Sequence, residues 1–358
     1  MTRNRKGHID MLAKLRKLLF PKPAKGQTAT GLLAASGGNA APSNAAKNAA
    51  TKLVEELDTA FYGYLLGVHS ALDCELNSFE QEALRKLRQL LKEDTSHSGL
   101  VPRLPAIIPR VMNSLRSDKS STASLAAEIG RDPVLVGEVI RLSNSAYYRV
   151  SQETTSLERA IFRLGRDGVR QLVANAALRP LLNQKSGHFT SLSGTVLWQQ
   201  SEKTAIACDY LAKQGKADRF HAYLAGIVQN VGFSVALSVL DSTFTGKDAP
   251  RSEYFREQFI TASRTISSLI AKQWEFPKPV VRALEAQVRS AKVEQTQALD
   301  NILYMADKLA KMRVLSGLGL WESGIDPIVC QMKSGLTYDC TACYAALADR
   351  ESLGSQRS

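Results

Sequence analysis

The feature that most constrains this chain is a helical apolar period, sustained over most of its length and broken only by short punctuation. Leu53, Leu57, Phe61, Tyr64, Val68 and Leu72 recur at helical spacing, and Leu84, Leu87, Leu90 and Leu91 do so again. Ser78 with Gln81 three residues on forms a capping box for the second run, so a helical hairpin is expected, ending in the polar stretch 95–99. Further on, Asp132-Pro133 sets a good N-cap before a proline at N1, and Leu135, Val136, Val139, Ile140 and Leu142 follow. Thr155 and Glu158 form another box ahead of Ala160, Ile161 and Leu164, with Gly165 as a natural C′ residue. Pro180 is expected to close the next helix, and the pattern resumes from Trp198 to Gly215 and again over Phe220, Tyr223, Leu224, Ile227 and Val228. No run of alternating β-branched residues lies between Asn/Asp-Gly turns. The fold class is therefore all-α: a multi-helix bundle with an N-terminal helical hairpin and a flexible basic tail.

The charge is uneven. Lys and Arg outnumber Asp and Glu by 46 to 34, a formal net charge of +12. Arg3, Arg5, Lys6, Lys14, Arg16, Lys17, Lys22 and Lys25 face the single acid Asp10 within residues 1–25, so this segment alone accounts for +7. Residues 9–20 read as a short basic amphipathic helix that Pro21 and Pro23 stop, and residues 24–50 as a flexible tether too poor in large apolar groups to fold. Arg3, Arg5, Lys14, Arg16 and Lys17 are the candidates for contact with an anionic membrane surface or with nucleic acid. No apolar run approaches the roughly 20 residues needed to span a bilayer, and the interrupted stretch Met11 to Phe20 makes a poor export signal. Cys74, Cys208, Cys330, Cys340 and Cys343 are odd in number and scattered, which fits a reducing cytoplasm, with peripheral attachment at the inner membrane left to the tail. Cys340-x-x-Cys343 lacks the second pair or nearby histidines that a zinc site would need. The expected divisions are 1–50 (basic segment and tether), 51–97 (helical hairpin), 98–296 (main helical domain) and 297–358 (C-terminal helical extension).

Several motifs in the main domain, taken in order, resemble the HDOD family, a branch of the HD-domain superfamily found in bacterial signalling proteins. They are Leu104-Pro105 with Ile108-Pro109; Leu125 to Ile129 with Asp132-Pro133-Val134-Leu135; and Arg141-Leu142-Ser143-Asn144-Ser145-Ala146-Tyr147. Then come Ser156-Leu157-Glu158-Arg159-Ala160-Ile161 with Leu164-Gly165, Trp198, the segment Ala225 to Gly232, and Trp274-Glu275-Phe276-Pro277. Asp132, Pro133, Asn144, Ser145, Leu164 and Gly165 are signature positions whose ordinary explanation is helix capping and turning. The resemblance implies an HD-like helical bundle.

Catalytic HD proteins hydrolyse phosphate esters with metal ions held by a histidine, a His-Asp dipeptide and a later aspartate, because imidazole and carboxylate bind a divalent ion that activates water. On the matching positions this chain has Gln200, Gln229-Asn230 and Gln287, and only the last aspartate is kept, as Asp307. Neutral amide oxygens are weak donors to such an ion. His8, His69, His97, His188 and His221 are too dispersed to rebuild a site, and neither a phosphate loop nor a nucleophile elbow is present. No enzymatic activity and no cofactor are expected. What the resemblance implies is a regulatory scaffold whose partner is a signalling protein such as a sensor kinase, response regulator or diguanylate cyclase. Gln200, Gln229, Asn230, Gln287 and Asp307 would line a polar remnant that either binds a small ligand or satisfies itself. The alternative is a protein that acts through its basic tail, and a remote one is an atypical metal phosphohydrolase.

Overall fold

The computed structural model describes residues 44–68, 71–92, 102, 126–127, 129–131, 133–144, 154–215, 217–288, 298–322 and 338–348. Their elements are α1 (Asn44–Leu66), α2 (Ser78–Lys92), α3 (Pro133–Ser143), α4 (Leu157–Leu182), α5 (His188–Gly215) and α6 (Arg219–Val228). They continue as α7 (Val231–Thr243), α8 (Glu253–Gln273), α9 (Lys278–Val288), α10 (Ala298–Gly317) and α11 (Cys340–Ala348). Extended pairing among the described residues is limited to an isolated parallel bridge between Leu72 and Ser252. The all-α expectation holds.

The 28-residue α5 is the hub, packing against α1, α4, α6, α7, α10 and α11. Both α5 and α10 bury residues on every side, which marks a core helix rather than an amphipathic surface one. Because α10 nevertheless carries Asp307, Lys308 and Lys311, those charges must be settled inside the protein. A large apolar cluster gathers α1, α2, the end of α4 and α5 to α11, whereas α3 and the first half of α4 close a smaller one around Val139, Ile161 and Leu172. The two N-terminal helices expected as a hairpin make their main contacts with the body: α1 lies on α5, α8 and α10, and α2 on α7 and α8.

Several local expectations shift. Helix α1 begins at Asn44, so the tether read over 24–50 gives way early, where alanine-rich sequence favours helix. The cap of α2 is Asn77, not Ser78: its Oδ1 accepts from Glu80 N at 2.8 Å, and Glu80 Oε2 accepts from Asn77 N at 2.9 Å. Glu80 Oε1 also accepts from the backbone N–H groups of Arg251 and Ser252, and this ties the cap to the start of α8 and selects the register. Ser156, one residue beyond the expected Thr155, caps α4. Gly165 has φ 65° and ψ −179°, a conformation open essentially to glycine alone and different from the αL geometry of a C′ residue, and it kinks α4. Pro180 does not end that helix, which runs on to Leu182, since a proline in the last turn removes only one bond.

The stretch Arg219–Thr243 is long and apolar enough to cross a membrane, with a mean hydropathy of 1.6 over its best window, contrary to the sequence expectation. Asn230 splits it into α6 and α7, and 94% of that window is buried within the fold. Residues 1–43, and with them the whole basic segment, lie outside the described residues, as do Asp132, Ser145 and the prolines at 105 and 109.

Between α4 and α5, Asn175 Nδ2 donates to Glu202 Oε1 at 3.0 Å, while the buried Asn175 Oδ1 has no partner. Burial pushes the Glu202 carboxyl up. A raised folded-state pKa means a contribution that is fully present below the unfolded value of 4.5 and lost as pH rises through the folded value. Glu202→Gln should therefore stabilise the protein by about 1 kcal/mol near neutral pH, by removing that charge and pairing Nε2 with Asn175 Oδ1. Urea midpoints at neutral and acid pH test this; the gain should shrink in acid.

Candidate functional site

The positions singled out in the sequence converge between α5, the α6–α7 junction and α10. Gln200 lies on α5, and its Nε2 donates to Asp307 Oδ1 on α10 at 2.8 Å and to Thr204 Oγ1 at 3.0 Å. Gln229 Nε2 donates to the same Thr204 hydroxyl at 3.0 Å. Asn230 stands at the N-cap of α7 but makes no capping bond. Its Nδ2 is used instead for Gln200 Oε1 and for Ser201 Oγ, the latter at 2.9 Å. Ser267 of α8 stitches the junction from the other side, donating to Gln229 O at 2.7 Å and accepting from Gly232 N at 2.9 Å. Gln287 stands apart from this amide cluster, its Nε2 reaching only the backbone oxygen of Asp300 at 3.4 Å.

Five further residues complete the site, and the sequence reading missed them. Asp307 Oδ2 accepts from Lys311 Nζ at 2.9 Å and Lys308 Nζ at 3.2 Å. Asp58 of α1 takes Lys308 at 2.7 Å and Lys311 at 2.9 Å. The Tyr62 hydroxyl accepts from Lys311 at 2.9 Å and from the Arg264 guanidinium at 3.3 Å. Lys308 and Lys311 are almost wholly buried, at 2% and 1% exposure. Lys308 and Lys311 hold the Asp58 and Asp307 carboxyls below the usual carboxylate range against the opposing effect of burial. Both lysines are raised in turn by the two aspartates, again against burial. A signal for the lysines existed: a helix apolar all round, bearing Asp307-Lys308-x-x-Lys311, must bury its charges in pairs. Nothing local to α1 marked Asp58, Tyr62 or, on α8, Arg264.

A cavity of about 10 Å³ remains, lined by Tyr62, Gln229, Asn230, Arg264, Gln287 and Asp307 among others, with room for about one water molecule. The donor set does not suit a divalent ion. Asp307 is the single carboxylate among the positions expected from the resemblance, one of its oxygens accepts from an amide and the other from two ammonium groups, and the rest are neutral amides. Among the described residues no group of three His, Cys, Asp or Glu side chains is placed to hold a metal ion.

Among the described residues, the other signature positions pack or turn the helices. Asn144 pairs both ways with the Thr154 backbone, with Nδ2 to O and Oδ1 from N, each at 2.7 Å. Leu164 packs against the smaller cluster, Gly165 makes the kink, and Pro133 opens α3. Cys340 and Cys343 are buried on α11, which packs on α5 and α10.

A family model described as HDOD domain matches residues 101–290, just over half of the chain. The fold is similar to that of a Shewanella amazonensis SB2B chain whose phosphohydrolase name is provisional, at 22% identity and a TM-score of 0.53, over 76% of this chain and 96% of that one. It is also similar to an HDOD domain protein with unknown function from Geobacter sulfurreducens, at 18% identity and a TM-score of 0.52, over 75% of this chain and 94% of that one. A second Shewanella amazonensis SB2B chain, provisionally named a metal-dependent phosphohydrolase, matches at 20% identity and a TM-score of 0.54, over 77% and 100% respectively. A protein from Treponema pallidum (strain Nichols) is 22% identical over 193 residues, 51% of this chain; the chain spans 37% of that relative's length. At these identities the structural likeness establishes the fold.

Proposed function

The chain belongs to the HDOD domain family, and we propose that it is a non-catalytic regulatory scaffold of a bacterial signal-transduction pathway. The observation that carries this reading is the state of Asp307, the last ligand position that keeps an acid. Both of its oxygens already accept hydrogen bonds, Oδ1 from Gln200 and Oδ2 from Lys308 and Lys311, so fixed ammonium groups stand where a hydrolase would need a free ligand. Two similar structures bear phosphohydrolase names, but the donors that such chemistry requires are amides in this chain. In this reading residues 98–296 form the partner-binding module, α1 and α10 brace it, and the partner is a sensor kinase, response regulator or diguanylate cyclase. The basic segment 1–25, with its charge of +7, would add attachment to an anionic membrane or to nucleic acid.

Two measurements test the proposal. The full chain, incubated with Mn²⁺ or Zn²⁺ and a generic phosphodiester, is expected to give no turnover; metal-dependent turnover abolished by Asp307→Ala would overturn the reading. In nuclease-treated capture from the native host, the full chain and a version lacking residues 1–43 should retain the same signalling protein. Loss of all recovery except lipid or nucleic acid with the tail would transfer the function to the basic segment.

A further inference from the structure

The buried cluster carries three fixed cations, Arg264, Lys308 and Lys311, against two carboxylates, Asp58 and Asp307. Tyr62 supplies a hydroxyl to two of the cations but no charge. The two carboxylates are not equivalent. The Asp307 side chain is 7% exposed and is anchored by Gln200 as well as by both lysines. The Asp58 side chain is 28% exposed, and its hydrogen bonds run to the Lys308 and Lys311 ammonium groups. It also comes from α1, outside the residues that the family model matches. Arg264 is half-buried and lines the small cavity beside it. A carboxylate gripped by two ammonium groups, with a guanidinium near, stands as a bound oxyanion would.

We infer that the Asp58 position is an oxyanion site, filled by the chain's own carboxylate and open to a phosphoryl oxyanion when that side chain swings into solvent. Charge favours the exchange. With Asp58 turned out, Arg264, Lys308 and Lys311 face Asp307 alone, an excess of two positive charges. A phosphoryl group carries roughly −1.5 to −2 near neutral pH and offers three acceptor oxygens, so it matches that excess where a carboxylate leaves one charge over. The desolvation of the lysines is already met by the fold, so the ligand does not have to order them. Size sets the ligand class. The adjoining cavity of about 10 Å³ is lined by Arg264 and Asp307 but not by Asp58, Lys308 or Lys311, and it holds about one water; the ligand therefore takes the space that the Asp58 carboxylate vacates, which suits a phosphoryl group, free or at the end of a small phosphorylated molecule, and leaves none for a base or sugar.

This inference deepens the non-catalytic reading of the same pocket and rests on it. Its test is a calorimetric titration of the full chain, without metal, with orthophosphate, pyrophosphate and a nucleoside diphosphate. The proteins are the wild type, Asp58→Asn and Asp58→Asn/Lys308→Met. Asp58→Asn should bind pyrophosphate at least about tenfold more tightly than the wild type, because a competing like charge is gone. Asp58→Asn/Lys308→Met should lose that gain. Equal affinity for all three ligands assigns the site to free phosphate groups; preference for the nucleoside diphosphate assigns it to a phosphorylated small molecule. No gain in Asp58→Asn, or a gain that survives loss of Lys308, overturns the inference. If Asp58→Asn is too unstable to titrate, its melting midpoint with and without millimolar pyrophosphate replaces the titration. A rise supports the site, and no rise, or no folded protein in either condition, overturns it. Orthophosphate released from pyrophosphate in the same cell would instead overturn the non-catalytic reading.

Discussion

Asp307→Asn is expected to destabilise the protein by about 3–5 kcal/mol, the usual cost of leaving buried charge without its partner. The substitution keeps an acceptor for Gln200 but takes the counter-ion from Lys308 and Lys311, leaving three cations against Asp58 alone. Neither lysine can reach solvent from where it lies. Urea unfolding measures the effect, and a second substitution identifies its origin. Adding Lys311→Met to Asp307→Asn removes the stranded cation, so the double variant should be more stable than Asp307→Asn alone. If the two losses simply add, Asp307 and Lys311 are not coupled as the geometry requires.

The same cluster fixes a pH dependence. The folded pKa values of Asp58 and Asp307 are depressed, so their contribution is present above the unfolded carboxylate value of 3.8 and is lost as pH falls through the folded values. Those of Lys308 and Lys311 are raised, so theirs is present below 10.5 and is lost as pH rises through the folded values. Stability should hold across the neutral range and fall at both ends. Asp307→Asn should flatten the acid limb.

Gly232→Ala is expected to cost about 3 kcal/mol, at the upper end of overpacking losses. A Cβ at that position would lie 2.0 Å from Ser263 O and 2.5 Å from Ser267 N, both backbone atoms of α8 that have nowhere to go. The same push would disturb the Gly232 N–H bond to Ser267, which itself holds the carbonyl of Gln229. Two helices therefore separate and the site residues shift together. Gly137→Ala on α3 is the control, since a Cβ there meets nothing within 4 Å. It should raise stability by about 0.5–1 kcal/mol through helix propensity alone. If the thermal midpoints of these two variants moved equally, the close approach of α7 and α8 would not be what requires glycine at position 232.

Some of these features were visible in the order of residues and some were not. Helix type and approximate extent follow from apolar spacing, because a 3.6-residue period can bury its stripe in only one regular conformation. Gly165 was legible for the same local reason: a helix that must stop and turn wants a residue at ease with positive φ. Gly232 stood in the sequence only as the end of the segment Ala225 to Gly232, and it proves to be a contact glycine, because the atoms that forbid its Cβ lie 31 and 35 residues away in sequence. The caps of α2 and α4 fell one residue from their expected places. For α2 the register was chosen by Glu80 reaching Arg251 and Ser252, a contact that no local signature encodes.

The candidate site divides along the same line. The amino-acid sequence by itself determined an all-α chain of the HDOD kind and placed amides at the positions the resemblance matches to metal ligands, since these depend on residue identity at fixed spacing. Only the tertiary structure decided what those amides face. It brought Asp58 and Tyr62 from α1, about 250 residues away in sequence, onto Lys308 and Lys311, and it set Arg264 of α8 beside them. The physical reason is that charge pairing is a property of distance in space. A lysine inside an apolar helix signals that a partner is required, but the partner's identity depends on which helices pack together.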